Sequence, residues 1–209
     1  MITGGMQGLG AAIAERLRGE YRVVTWDIID GADVHCDVAD YGQVERAADE
    51  TRAKYGQIDV LVNNAGIFIA GDLITNDPAR ITDVVKINLL GTINCTRVIA
   101  GEMMARGEGQ IINICSDAGL EHKATRSVYY ASKWGVTGFS KCLHDELHPH
   151  GVRVTTVFPS VMDTDLFSKA QYDRDLSKAL DPKATADLVA YALATPENVW
   201  LPELRINGM

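Results

Sequence analysis

Long apolar runs are missing from this chain. None approaches the roughly eighteen residues that a membrane-crossing helix requires, so no spanning segment is expected. An excess of positive charge is missing too. Twenty Lys and Arg face 28 Asp and Glu, for a formal charge of −8, and the basic face that nucleic-acid binding needs is not to be expected. Cysteine is scarce: Cys36, Cys95, Cys115 and Cys142 are the only four, and no two form a C-x-x-C pair. That argues against a disulfide framework and against a thiolate zinc site. Cys115, inside Ile111–Cys115, reads as a small buried apolar residue. No charged, apolar and small-residue leader precedes Thr3, so the expected compartment is the cytoplasm. Six Pro and 19 Gly are too few for a low-complexity chain.

What is present fits one globular domain over residues 1–209. With 46% apolar residues in 209, the chain can bury a full core without staples. Short β-branched runs alternate with longer helical patterns. The strand candidates are Tyr21–Trp26, Val34–Cys36, Ile58–Val62, Gln110–Cys115 and Val152–Val157, with Val199–Ile206 as a final edge strand. Most are dense in Val and Ile with little alternation, as strands covered on both faces are. The helix candidates are Gly8–Arg18, Tyr41–Tyr55, Pro78–Arg106, Arg126–His148 and Pro182–Ala194. Pro78 and Pro182 each follow an Asp, an N-cap with Pro at the first helical position. The order predicts a doubly wound parallel α/β sheet whose ligands sit beyond the carboxyl ends of the strands. Only six residues separate Asp27 from Val34, too few for a crossover helix, so Ile28–Asp33 must cross as a plain loop.

Thr3-Gly4-Gly5-Met6-Gln7-Gly8-Leu9-Gly10 opens a helix rich in Ala. Gly4, Gly8 and Gly10 let backbone amides approach a phosphate, and the helix N-terminus adds a favourable dipole. The bland reading is a glycine-rich turn, but Asp27 ends a strand 17 residues after Gly10. A carboxylate there accepts hydrogen bonds from the adenosine ribose and repels a 2′-phosphate. No Arg or Lys occupies Gly5–Leu9, Ile28 or Ile29, so NAD(H) is expected over NADP(H).

Ser116 ends a strand, and Tyr129 and Lys133 lie four apart on one helix face. A phenol has a reference pKa of about 10; a nearby ammonium and a cationic nicotinamide are expected to lower it. Each residue alone reads as packing or a turn. Tyr130 is a decoy, because Trp134 stands four residues on.

With these residues the chain resembles the short-chain dehydrogenases/reductases. Thr3-Gly4-x-x-x-Gly8-Leu9-Gly10 is similar to the family's cofactor motif, and Asn63-Asn64-Ala65-Gly66 to its turn after the fourth strand. Asn88, Ser116 and Tyr129-x-x-x-Lys133 match its catalytic residues, with the usual separation of 13 between Ser116 and Tyr129. The resemblance implies a Rossmann fold and hydride transfer between a nicotinamide and a secondary alcohol or ketone. Tyr129 would exchange the proton, Ser116 would hold the oxygen, Lys133 would hold the nicotinamide ribose, and Asn88 would anchor a water. It further implies that Asp37 and Val38 lie beside the adenine, that Asn64, Ala65, Gly66 and Pro159 line the cofactor, and that Thr164 meets the carboxamide. It implies a homodimer or homotetramer through the outer faces of the two long helices, and no metal.

There are departures. Ser160 follows Pro159 where the family has Gly. Only Met1 and Ile2 precede Thr3, so the first strand is expected to be truncated at the sheet centre. Two other readings follow: an NAD-binding regulator without chemistry, and a folded protein poor in cofactor. His144, His148 and His150 could suggest a metal, but no Glu pairs with them as in H-E-x-x-H, and they are expected at the surface near a helix end. The substrate pocket is expected to be lined by Ile67–Ala70, Asp117–Ala124 and Ser160–Asp175, and residues 160–180 read as a substrate lid, mixing Leu166, Phe167 and Tyr172 with Asp165, Lys169 and Arg174.

Overall fold

The computed structural model describes all 209 residues. Its elements in chain order begin β1 (Ile2–Thr3), α1 (Gly8–Leu17), β2 (Thr25–Asp27), β3 (Val34–His35), α2 (Tyr41–Tyr55) and β4 (Val60–Asn63). Then come α3 (Pro78–Val85), a π-helical turn (Lys86–Leu90), α4 (Gly91–Arg106), β5 (Gly109–Ile114) and α5 (Ser127–Leu147). The chain finishes with β6 (Val152–Pro159), α6 (Leu166–Lys169), α7 (Pro182–Leu193) and β7 (Glu203–Ile206). The strands form one parallel sheet in the order β3-β2-β1-β4-β5-β6-β7. The order reverses between β1 and β4, which is where such sheets open a crevice for ligands. No helix is long and apolar enough to cross a membrane.

The sheet is covered on both faces, which is why its strands are almost continuously apolar. One face holds Trp26, Leu61 and Ile111 against α2 and α4; the other holds Ile2, Val62 and Ile112 against α1 and α7. Trp26 is fully buried, and its indole N–H is satisfied at 2.8 Å by Thr51 Oγ1 on α2. Burying that ring without the acceptor would strand a donor in the core.

The expected second strand, Tyr21–Trp26, is shorter than the sequence suggests. Its partner β1 spans two residues, so the ladder covers only Thr25 and Trp26 beside Ile2 and Thr3. Tyr21–Val23 are left outside it, and Val24 joins only through its carbonyl, which accepts the Ile2 N–H at 2.9 Å. β1 is nevertheless paired on both sides, with Ile2 opposite Thr25 and Val62. The β2–β3 loop contains no helix, as expected. Asp33 pins it instead, its Oδ2 accepting from the Thr25 N–H and hydroxyl, both at 2.8 Å.

Two other expectations change. Pro78–Arg106 is not one uninterrupted α-helix: Lys86–Leu90 widens to a π turn closed by the Gly91 N–H on the Lys86 carbonyl. The last strand starts at Glu203 rather than Val199, since β6 reaches it only through the Thr156 N–H on the Pro202 carbonyl and the pairs that follow.

Candidate active site

A single cleft of about 790 Å³ runs along the carboxyl ends of β1, β2, β4, β5 and β6. Fourteen of the seventeen residues expected at the site line it, and Thr3, Gly10 and Asn88 stand behind its wall.

At one end lies the glycine loop. Gly4 and Gly8 take φ of +62° and +52°, which L side chains rarely adopt. Gly10 is required for a different reason: a Cβ there would fall 2.0 Å from the Gly4 carbonyl oxygen. Gln7 precedes α1 without capping it through its side chain, which leaves the first-turn amides free to meet a phosphate. Leu9 lines the same end. Thr3 is buried, and its Oγ1 accepts from the N–H groups of Asn64 (3.0 Å) and Ala65 (3.1 Å). Asn64 Nδ2 in turn donates to the carbonyls of Thr3 and Gly4, both at 3.0 Å. The Asn64-Ala65-Gly66 turn therefore holds the glycine loop in place.

Asp27, at the end of β2, is buried and faces the cleft. Its Oδ2 accepts from the Met6 N–H (3.0 Å) and its Oδ1 from the Ile29 N–H (3.2 Å). This negative charge beside the loop fits a neutral ribose diol and opposes a 2′-phosphate. Asp37 and Val38 line the next stretch of wall. Val38 is fixed there, its carbonyl accepting from Asn94 Nδ2 at 3.0 Å. The cradle, the open amides and the acid are the donor and acceptor set that a dinucleotide needs.

At the other end, Ser116 follows β5 and Tyr129 and Lys133 project from α5. Lys133 Nζ donates to the Ile114 carbonyl at 3.1 Å and lies 5.9 Å from the centre of the Tyr129 ring. The lysine was expected to lower the phenol pKa, but the chain's own groups do the reverse. Burial pushes the Tyr129 phenol up, with the Ser116 side chain partly opposing, and Asp117 adds to the rise. Burial also lowers Lys133. A bound nicotinamide cation is the group that would pull Tyr129 back towards neutrality.

Asn88 is buried in the π turn, and π turns inside helices are frequent at functional sites. Its Nδ2 donates to the Ile67 carbonyl (3.0 Å) and Ser132 Oγ (3.1 Å). A buried polar chain supports the floor: Asn63 Nδ2 donates to Asn113 Oδ1 (2.8 Å), and Asn113 Nδ2 to Ser140 Oγ (2.9 Å). It ties β4, β5 and α5 together beneath the site.

The segment expected as a lid packs through Phe167 on Phe68, ring centres 5.0 Å apart, at the Tyr129 end, and it also reaches the glycine loop. Thr164 lies 3.6 Å from where a Gly8 Cβ would be, and Lys169 on α6 reaches Gln7. Pro159 and Ser160 line the cleft, and Ser160 avoids the left-handed region, so glycine is not needed there. His144 departs from expectation. It is buried, not at the surface, and stacks on Trp200 with ring centres 3.4 Å apart.

Of three further lining residues that matter, Phe68 and Asp117 fall within the stretches expected to line the pocket, and Arg126 falls outside them. Phe68 packs edge-on against Tyr129, with centroids 4.8 Å apart. Asp117 accepts the Ser116 hydroxyl at 2.8 Å. Arg126, the first residue of the expected helix Arg126–His148, is buried.

Comparison with known proteins agrees with this geometry. Residues 1–175 match the short chain dehydrogenase family model. The chain is 32% identical over 225 residues to an uncharacterized oxidoreductase of Staphylococcus saprophyticus, covering 99% of this chain and 95% of the other. It is 31% identical over 233 residues to a 3-oxoacyl-(acyl-carrier-protein) reductase of Vibrio cholerae, covering 100% and 95%. A solved variant of actinorhodin polyketide ketoreductase with NADPH superposes with a TM-score of 0.88 at 29% identity, covering 99% and 95%. The chain belongs to the short-chain dehydrogenase family, and it is an NAD(P)-dependent oxidoreductase acting on alcohol or ketone substrates.

Proposed function

We propose that Tyr129, Ser116, Lys133 and Asn88 carry this chemistry and that NAD(H) is the preferred cofactor. The observation behind the proposal is the convergence of Ser116, Tyr129 and Lys133 at one end of the cleft whose other end is the glycine loop with Asp27. When bound, the nicotinamide takes or gives the hydride at its C4. In reduction the Tyr129 phenol gives its proton to the carbonyl oxygen; in oxidation it takes the proton from the hydroxyl. The Ser116 hydroxyl donates to that same oxygen and fixes the carbon opposite the nicotinamide. For this it turns away from Asp117. The Lys133 ammonium, held by the Ile114 carbonyl, is within reach of the nicotinamide ribose. Asn88 keeps the Ile67 wall and Ser132 in position and supplies an anchor for water-borne proton exchange. A purely regulatory, non-catalytic role has no use for the Ser116, Tyr129 and Lys133 set, which is complete here.

Asp27 and the lack of any Arg or Lys from Gly5 to Leu9 support NAD(H) over NADP(H). Residues 160–180 act as a lid, latched through Lys169 and Gln7. The partly exposed Val85, Leu90 and Trp134, on the α3–α5 side, support self-association as a dimer or tetramer. Four free cysteines, three of them buried, support a reducing compartment such as the cytoplasm. The test is NADH-dependent reduction across a ketone panel by the wild type and Tyr129→Phe. Turnover should fall at least ~10³-fold in the variant with NADH affinity retained. Undiminished turnover in the variant would remove Tyr129 from the mechanism.

A further inference from the structure

Arg126 precedes α5 by one residue and Tyr129 by three, so its side chain rises from the same edge of the cleft as the phenol. Only 8% of it is exposed. Its Nη2 donates to the Tyr172 hydroxyl, and the Tyr172 ring centre lies 5.2 Å from the guanidinium carbon. Its Nε is buried and meets no acceptor. Arg52 and Arg106 also bury an Nε without a hydrogen bond, but each has a carboxylate: Glu102 at 2.7 Å and Asp59 at 3.7 Å. Arg126 takes part in none of the chain's ion pairs. A buried cation is ordinarily paired, because removing it from water is costly and a neutral phenol returns only part of that cost.

We propose that Arg126 anchors a carboxylate of the substrate, and that this enzyme acts on a hydroxy acid or the corresponding oxo acid. The proposal rests on the reading of Tyr129 as the proton donor, since it places the reacting oxygen at one end and the carboxylate at the other. Phe68 lies between them, 4.8 Å from the Tyr129 ring and 5.5 Å from Tyr172, and forms an apolar bed for the connecting carbons. A planar guanidinium fork matches a carboxylate in geometry. A phosphate dianion fits less well, because the cleft lining has no surplus of positive charge: Arg80, Lys123 and Lys169 are offset by Asp83, Asp117 and Glu121. Arg174, whose guanidinium carbon lies 5.8 Å from the Phe167 ring centre, adds a second positive charge at the lid.

The test is fluorescence titration of the enzyme–NADH complex with cyclohexanecarboxylate, its carboxamide and cyclohexyl phosphate. The carboxylate should bind at least tenfold more tightly than the carboxamide and more tightly than the phosphate. Arg126→Gln should abolish that preference, and Arg126→Lys, which keeps the charge without the fork, should retain part of it. NADH affinity reports folding in every variant. Equal binding of acid and amide, tighter binding of the phosphate, no binding of any, or an undiminished preference in Arg126→Gln overturns the proposal. Reduction of the neutral ester methyl 4-oxopentanoate reports on Tyr129 separately. An enzyme that reduces the ester yet ignores carboxylates loses this inference and keeps the oxidoreductase mechanism.

Discussion

Asn88 closes on the backbone of Ile67 from both sides: its Oδ1 accepts the Ile67 N–H at 2.8 Å while its Nδ2 donates to the Ile67 carbonyl at 3.0 Å. A side-chain amide thus stands in for a strand partner, and it can do so because the π turn directs it inward. Replacing it by Ala leaves two part-buried backbone groups without partners, a penalty of roughly 1–3 kcal/mol. The same change releases Ser132 and the wall beside Lys133. Asn88→Ala should lose stability of that order in urea and lower kcat by about 100-fold. A variant with wild-type stability would show that water replaces the amide without loss.

Asp27 sets a prediction about cofactor choice. Its carboxylate is held by two backbone N–H groups and lines the cleft beside the glycine loop. Asp27→Asn keeps an acceptor for the loop and removes the charge. The ratio of NADP to NAD affinity, read by calorimetric titration, should rise by at least about tenfold, equivalent to ~1.4 kcal/mol. A wild type that already binds NADP more tightly than NAD contradicts the role given to Asp27.

Gly10 sets one about packing. With the Gly4 carbonyl oxygen 2.0 Å from an added Cβ and Asn64 Nδ2 at 2.5 Å, the loop must move to admit even a methyl group. Gly10→Ala should therefore lower NADH affinity at least tenfold and reduce thermal stability by several degrees, an overpacking cost of about 1–3 kcal/mol. Gly19→Ala, where nothing lies within 4 Å, is the control and should be silent.

The sheet and most of the site were legible because both depend on local pattern. Dense Val and Ile runs marked the covered strands, Asp before Pro marked the starts of α3 and α7, and fixed spacing put Tyr129 and Lys133 on one face. What escaped depends on partners remote in sequence. Tyr21–Val23 reads as part of a strand but has no ladder, since β1 is two residues long. The one-residue widening at Lys86–Leu90 barely disturbs a 3.6-residue pattern, so Pro78–Arg106 reads as continuous. The burial of Arg126 leaves no mark on its local sequence, because the residue that covers it, Tyr172, lies 46 residues on. The upward direction of the Tyr129 shift escaped for the same reason, since it comes from burial among Phe68 and its neighbours, which the motif does not show.

Asp117 yields a prediction about pH. The Tyr129 phenol is pushed up by burial first, drawn down by Ser116, and pushed up again by the negative charge of Asp117. Oxidation of an alcohol needs the phenolate as base, so its rate rises with pH through the pKa that Tyr129 has in the ternary complex. Removing a nearby negative charge favours the phenolate and moves that limb to lower pH. Asp117→Asn keeps an acceptor for the Ser116 hydroxyl, now 2.8 Å away, while removing the charge. The apparent pKa of kcat for oxidation should fall by about 0.5 unit, a difference of ~0.7 kcal/mol. Reduction uses the protonated phenol, so its alkaline fall-off should move to lower pH by the same amount. Ser116→Ala should shift the pKa the other way, because the group that favours the phenolate is gone. Shifts of the same sign in both variants would mean that Asp117 and Ser116 act on the fold of the loop rather than on the proton of Tyr129.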